Sequence, residues 1–200
     1  MKYLIKVPIR KLNGPYLAHK AVYEATGGGR PVWRRYADHA IVIADAPSEI
    51  HTSKEYDPSP SNGQRLRIDL LAEISKADGK PVDGGRSPRI DPVVQAWIAS
   101  GKKASWRELG LEHGITWLEK RQANHGFEIK QIDTADYDTL EFVHEGKPIR
   151  LGTIAYSAIV KVTDCMKFKQ AMLNGIGRGK AWGLGFLLCK RIQLTEGEQL

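Results

Sequence analysis

Two cysteines, Cys165 and Cys189, are all that this chain of 200 residues holds. The shortage excludes a disulfide scaffold, a C-x-x-C redox motif and a four-cysteine zinc site, and it fits a reducing compartment, the cytoplasm. No apolar run approaches the roughly 20 residues of a membrane-crossing helix. The longest runs, residues 40–44 and 186–189, have the length of strands. The first six residues alternate polar and apolar and read as a strand, not a signal peptide. Two chemical signatures are missing as well. No pair of histidines stands at i, i+4 around a glutamate, so a metalloprotease-type site has no ligands, and no G-x-S-x-G elbow offers a serine nucleophile.

What the chain does have is positive charge. Thirty Lys and Arg against 23 Asp and Glu leave +7, and the excess is unevenly spread. Residues 1–107 carry +7, residues 108–144 carry −5, residues 145–191 carry +7 again, and the last nine carry −2. Basic regions of this kind concentrate polyanions, and each cation placed on a phosphate releases counterions. Nucleic acid is therefore the leading partner class. With 42% hydrophobic residues, a chain of this length buries about 70% of its unfolded surface and needs no staples.

The pattern of elements predicts an α+β fold. Residues 2–9 read as a strand, 15–25 as a helix opened by Pro15 and stopped by three glycines, and 32–36 and 39–44 as strands. A short helix is expected over 46–53. Residues 57–63, Asp-Pro-Ser-Pro-Ser-Asn-Gly, form the clearest linker. Beyond it come a strand over 64–74, an exposed loop over 77–89 and a helix capped by Asp91-Pro92. A helix over 114–124, strands over 127–132 and 153–162, a helix capped by Asp164 and a strand over 184–192 complete the chain. The second half follows the β-α-β-β-α-β order and the first half its strand-helix-strand-strand-helix part, so the expected architecture is two tandem ferredoxin-like domains, residues 1–60 and 64–195.

Three places carry chemistry. Tyr16, His19, Lys20 and Tyr23 recur at i, i+3, i+4, i+7 and share one helix face. His19 among them is the side chain most ready to exchange a proton near neutrality. Taken alone, that face reads first as a solvated polar stripe with one histidine in it. His39, His51, His113, His125 and His144 are weaker candidates, the last two because they flank chain breaks. Five glycines in the eleven residues 175–185 let the backbone approach a ligand, and Gly175, Gly177, Arg178, Gly179 and Lys180 are candidate phosphate contacts. Ala181 stands where a Walker loop needs Ser or Thr. The third place is the hairpin Glu145-Gly146-Lys147-Pro148-Ile149-Arg150, whose cations suit a charged transition state. Arg65, Arg67, Arg86, Arg89, Lys102 and Lys103 are further candidates for RNA contact.

Residues 153–160, the Asp164 helix and the glycine-rich stretch resemble the C-terminal region of the CasE family, the CRISPR repeat-RNA endoribonucleases of type I-E Cascade systems. Glu145-Gly146-Lys147 with Arg150 and Thr153 resembles that family's basic hairpin, and Trp117-Leu118-Glu119-Lys120-Arg121 and Arg65-Leu66-Arg67 resemble further motifs. Tyr16-Leu17-Ala18-His19 resembles the helix bearing its catalytic histidine. The resemblance implies a double ferredoxin-like protein of RAMP type, RRM-like in each half. It would bind the stem-loop of CRISPR repeat RNA (pre-crRNA and crRNA), cut on the 3′ side of the stem without metal or cofactor, and leave a 2′,3′-cyclic phosphate. It would then remain on the product with other Cascade subunits, with no membrane partner. His19 would transfer the proton, Tyr16 would position the reacting groups, and Lys147 or Arg150 would offset phosphorane charge. Two rivals stay open: a non-catalytic RNA-binding subunit of the same superfamily, and a ferredoxin-like metabolic enzyme whose basic loop holds a phosphorylated small molecule.

Overall fold

Alternation in residues 2–8 makes the first strand, β1 (Lys2–Pro8), with Ile5 and Val7 buried and Lys6 and Pro8 exposed. A computed structural model describes residues 1–9, 14–77, 79 and 89–192. After β1 come α1 (Pro15–Ala25), β2 (Val32–Arg35), β3 (His39–Ala44) and β4 (Ser53–Tyr56), all antiparallel in the order β2-β3-β1-β4. Ala18, Val22 and Ala25 of α1 pack on Ile5, Val7, Trp33, Ala40 and Val42. That burial leaves Tyr16, Leu17 and Tyr23 on the exposed side of the helix.

The second sheet has the order β10-β5-β9-β8. It is built from β5 (Arg65–Glu73), β8 (Phe127–His144), β9 (Lys147–Val162) and β10 (Leu187–Arg191). A small ladder of β6 (Lys76–Ala77) and β7 (Arg89–Ile90) follows β5. The helices α2 (Pro92–Ala99), α3 (Trp106–Glu119) and α4 (Gln122–His125) lie before β8, and α5 (Cys165–Asn174) lies before β10. Both sheets have the strand order of a ferredoxin-like fold, first strand between third and fourth. Asp57–Gln64 joins them and is tied to the second unit, with Gly63 N–H donating to Val162 O at 2.8 Å and Lys169 paired with Asp57 at 2.5 Å. Val32 and Ile43 of the first sheet meet Phe186, just before β10, in an apolar seam between the two units.

Three expectations are corrected. The helix expected over 46–53 is absent: residues 46–52 form bends and irregular backbone, and Ser53 already opens β4. Pro47 interrupts them, Ile50 is exposed, and the Ser53 hydroxyl accepts from Ser48 N–H at 2.8 Å, a local bond that competes with helix formation. The helix expected over 114–124 starts at Trp106, capped by Ser105 Oγ accepting from Glu108 N–H, and α4 follows as a separate turn. Gly110 and Gly114 interrupt its apolar period because they sit directly on Tyr137 and Ile154. Finally, β8 runs 18 residues to His144, well past Ile132, with register shifts near Ile129 and Ile132. The loop expected over 77–89 lies largely outside the described residues.

Candidate nucleic-acid site

The extra length of β8 builds the site. Pairing of β5 with β9 ends at Glu73↔Thr153, whereas β8 and β9 stay paired to His144↔Lys147. Residues 147–152 therefore form, with 139–144, a two-stranded ribbon that overhangs the sheet. Its tip is a turn in which Glu145 and Gly146 both have positive φ, 50° and 74°, the geometry of a tight two-residue hairpin.

The overhang meets α1. The Tyr16 and His144 rings are 5.1 Å apart, and Trp182 lies 5.2 Å from both His144 and His19 and 4.6 Å from Phe142. Three separate parts of the chain thus converge: the polar stripe of α1, the tip of β8 and the 3-10 turn Lys180–Trp182. His144 is the residue that sequence reasoning ranked too low, among the weaker candidates. Its Nδ1 is buried with no hydrogen-bond partner, and its Nε2 stands 4.0 Å from Glu145. No sequence signal places it beside Tyr16, because its partner is 128 positions away.

His19 is partly buried. Burial pulls its pKa below the ordinary value, and the positive charge of His144 pushes the same way. A hydrogen bond to the Ala181 backbone opposes them. The balance favours neutral imidazole, the form that accepts a proton. Lys180, half-buried in the same loop, is also pulled down by desolvation.

Strand alternation separates the two hairpin cations. Lys147 is registered opposite His144 and Phe142 opposite Ile149, so all four share the face that meets Trp182 and Tyr16. Arg150, three positions on, points from the other face, where Nε pairs with Glu141 at 3.2 Å.

The glycine-rich loop has a packing reason for each candidate glycine. Gly175, Gly177 and Gly179 have φ of 70°, 85° and 70°. A Cβ on Gly177 would meet the Trp117 ring at 2.9 Å, and one on Gly179 would meet Leu184 at 2.7 Å. Gly183 rests on Trp33 of the first sheet in the same way. Trp117 is in turn covered by the Arg121 guanidinium, 3.5 Å above its ring. The N–H groups of Ile176, Trp182, Leu184 and Gly185 donate within the protein. The loop is thus a rigid bridge between the units that presents Arg178, Lys180 and Trp182.

The other cations are dispersed. Arg65 and Arg67 lie at the end of β5 remote from the hairpin, roughly 26 and 20 Å from Glu73 at strand rise. Arg67 is bound to Asp133 and Ser157. Arg89 pairs with the buried Glu73 and with Ser75. Lys102 sits over Trp97 with its ammonium 5.5 Å from the ring centre, Lys103 is exposed beside it, and Arg86 lies outside the described residues. Among the described residues, no three His, Cys, Asp or Glu side chains gather as a metal site.

A family model described as CRISPR associated protein matches residues 10–191. The CRISPR-associated endoribonuclease Cse3 of Thermus thermophilus is 25% identical over 204 residues, which cover 89% of this chain and 90% of that protein. Among solved structures, CRISPR endoribonuclease Cse3 bound to a 19-nt RNA superposes with a TM-score of 0.69 at 20% identity, over 94% of this chain and 98% of that one. A chain of a CRISPR RNA-guided surveillance complex superposes at 0.66 and 19% identity, over 95% and 100%.

Proposed function

The chain belongs to the CRISPR associated protein family, and from that premise we propose that it is the endoribonuclease that matures CRISPR repeat RNA by binding the repeat stem-loop and cutting on the 3′ side of the stem. The observation that carries this reading is the convergence of Tyr16, His19 and His144 around Trp182, with Lys147 on the same face of the hairpin. The likeness to Cse3, an endoribonuclease with an RNA-bound structure, supports it.

The chemistry is transesterification. The 2′-OH of the nucleotide before the cut attacks the adjacent phosphorus, the P–O5′ bond breaks, and a 2′,3′-cyclic phosphate and a 5′-OH result. His19, neutral near pH 7, takes the 2′-OH proton, and proton transfer of this kind contributes roughly 10²–10⁴-fold. Tyr16 positions the phosphate. The Lys147 ammonium offsets the charge that grows on the non-bridging oxygens. His144, across Tyr16, serves the leaving 5′-oxygen. No metal is required by any of these steps. The protein acts in the cytoplasm and stays with its product as a Cascade subunit, as the likeness to a surveillance-complex chain suggests. No helix among the described residues is long and apolar enough to cross a membrane.

The test uses the repeat RNAs encoded in the same genome, with wild-type protein and His19→Ala, in EDTA. Cleavage by the wild type to a cyclic phosphate, with at least 10²-fold loss in the variant, is the expected result. Binding without cleavage by either protein would identify a non-catalytic RNA-binding subunit instead.

A further inference from the structure

Towards the C-terminal end of α1, His19 borders a second feature that the proton-transfer cluster does not use. A cavity of about 290 Å³ is lined by His19, Tyr23, Arg30, Trp33, Lys180 and Ala181, among others. Its walls are aromatic and apolar. Trp33 is fully buried and held from behind by Gly183, so this surface is rigid. Tyr23, half exposed, stands 6.2 Å from His19 in ring-centre distance. Arg30 and Lys180 bring two positive charges, and neither forms an ion pair with a described residue. Flat apolar walls beside two unpaired cations suit a planar ring attached to a phosphate. That is a nucleotide of single-stranded RNA, whose bases stack on aromatic and guanidinium planes.

We propose that this cavity receives the base of the first nucleotide after the scissile phosphate, with Arg30 and Lys180 on its 3′ phosphate. The assignment rests on the cleavage reading above. If the cut falls at the 3′ foot of the stem, the nucleotide before it is held in a base pair, whereas the one after it is unpaired and free to swing out. Only the latter enters a pocket without the cost of breaking a pair. Its position along α1 agrees: Tyr16 and His144 lie one turn toward the N-terminus of His19 and the cavity one turn toward the C-terminus, so the reacting phosphate sits between them.

The consequence is a binding contribution present in the substrate and lost in the product. A seated base fixes the direction of the departing O5′ relative to the 2′-OH, which is an orientation effect on the chemical step. After the cut, that base leaves on the 3′ fragment, so release of the fragment is separate from retention of the stem. The lining is mostly aromatic and apolar, so the cavity senses that a ring is present more than which base it is.

Two measurements on the full-length protein test this. The first uses a repeat hairpin with a 2′-deoxy sugar before the cut, which prevents attack, and 2-aminopurine after it. Its fluorescence is expected to be quenched on binding, and the quench lost in Ala181→Leu, whose larger side chain fills the cavity. The second compares single-turnover cleavage of the ordinary hairpin with one that is abasic at the same position. Loss of the base should slow cleavage roughly 5- to 160-fold, the range of one stacked base, while the affinity of the cleaved stem product is unchanged. Unaltered fluorescence, or equal rates for the two hairpins, would overturn the pocket while leaving the nuclease reading intact. Failure to cut the ordinary hairpin at all would overturn both.

Discussion

At the scale of the residue, His19 and the two hairpin cations are the sharpest points. Burial, and more weakly repulsion from His144, disfavour the imidazolium of His19, so its pKa lies below the ordinary histidine value in the folded protein. The base is active when deprotonated. Single-turnover cleavage is therefore expected to hold through neutral pH and to decline only at pH values more acidic than an ordinary histidine would require. A profile already falling between pH 7.5 and 7 would contradict the assignment. Lys147 and Arg150 look equivalent in sequence, but alternation puts them on opposite faces. Lys147→Ala is expected to slow the chemical step by 10-fold or more with little change in affinity. Arg150→Ala is expected to leave the rate within about 2-fold, because Arg150 is held in an exposed pair with Glu141, a kind of pair worth about 1 kcal/mol or less. Equal losses from the two variants in the same cleavage assay would reject this distinction.

At the scale of the element, the glycine-rich loop matters most. The helix α5, the β-branched strand β9 and the Asp164 cap were legible from period and capping residues, and α5 starts where Asp164 predicts, with the carboxylate accepting from Met166 and Lys167 N–H. The purpose of the glycines was not legible, since a phosphate cradle and a tight crossing use the same residue. Gly177→Ala separates the two. A Cβ there strains a backbone at φ 85° and presses on Trp117. The variant is expected to lose about 1–3 kcal/mol of stability, read as a lower denaturant midpoint without RNA present. A variant as stable as the wild type that binds RNA less well would instead make Gly177 a ligand contact. The hairpin shows the same limit on reading by sequence. Its turn residues, Glu145-Gly146, announced a reversal, but acidic residues from Asp133 to Glu141 obscured the strand leading to it, because a ribbon exposed on both faces shows little apolar alternation.

At the scale of the whole molecule, the +7 of the chain resolves into cations of different standing. Arg67 and Arg89 are engaged with acidic partners. Arg178, Lys180 and Lys147 have no acidic partner among the described residues; Lys180 and Lys147 border the site, and Arg178 is exposed in the same loop as Lys180. RNA affinity is expected to fall steeply with salt, and Arg178→Ala to lower the slope of log K against log salt by about 0.7–0.9, one phosphate contact. Binding that is flat between 50 and 200 mM salt would remove phosphate contacts as its source. A slope unchanged in the variant would remove Arg178 from the grip.

By itself the sequence determined the local parts: two β-α-β-β units, the linker near Pro58, the polar stripe on α1 with His19 in it, and the caps at Asp91 and Asp164. Each of these depends on neighbours within a few positions, through periodicity, turn chemistry or a side chain bonding its own backbone. Tertiary structure alone decided what stands beside His19. The distance by which β8 and β9 outrun β5, the face on which Lys147 emerges, and the seating of Gly183 on Trp33 are set by long-range pairing and packing. These bring His144, Trp182 and a base-sized cavity to one histidine, and no local pattern encodes contacts made across more than a hundred positions.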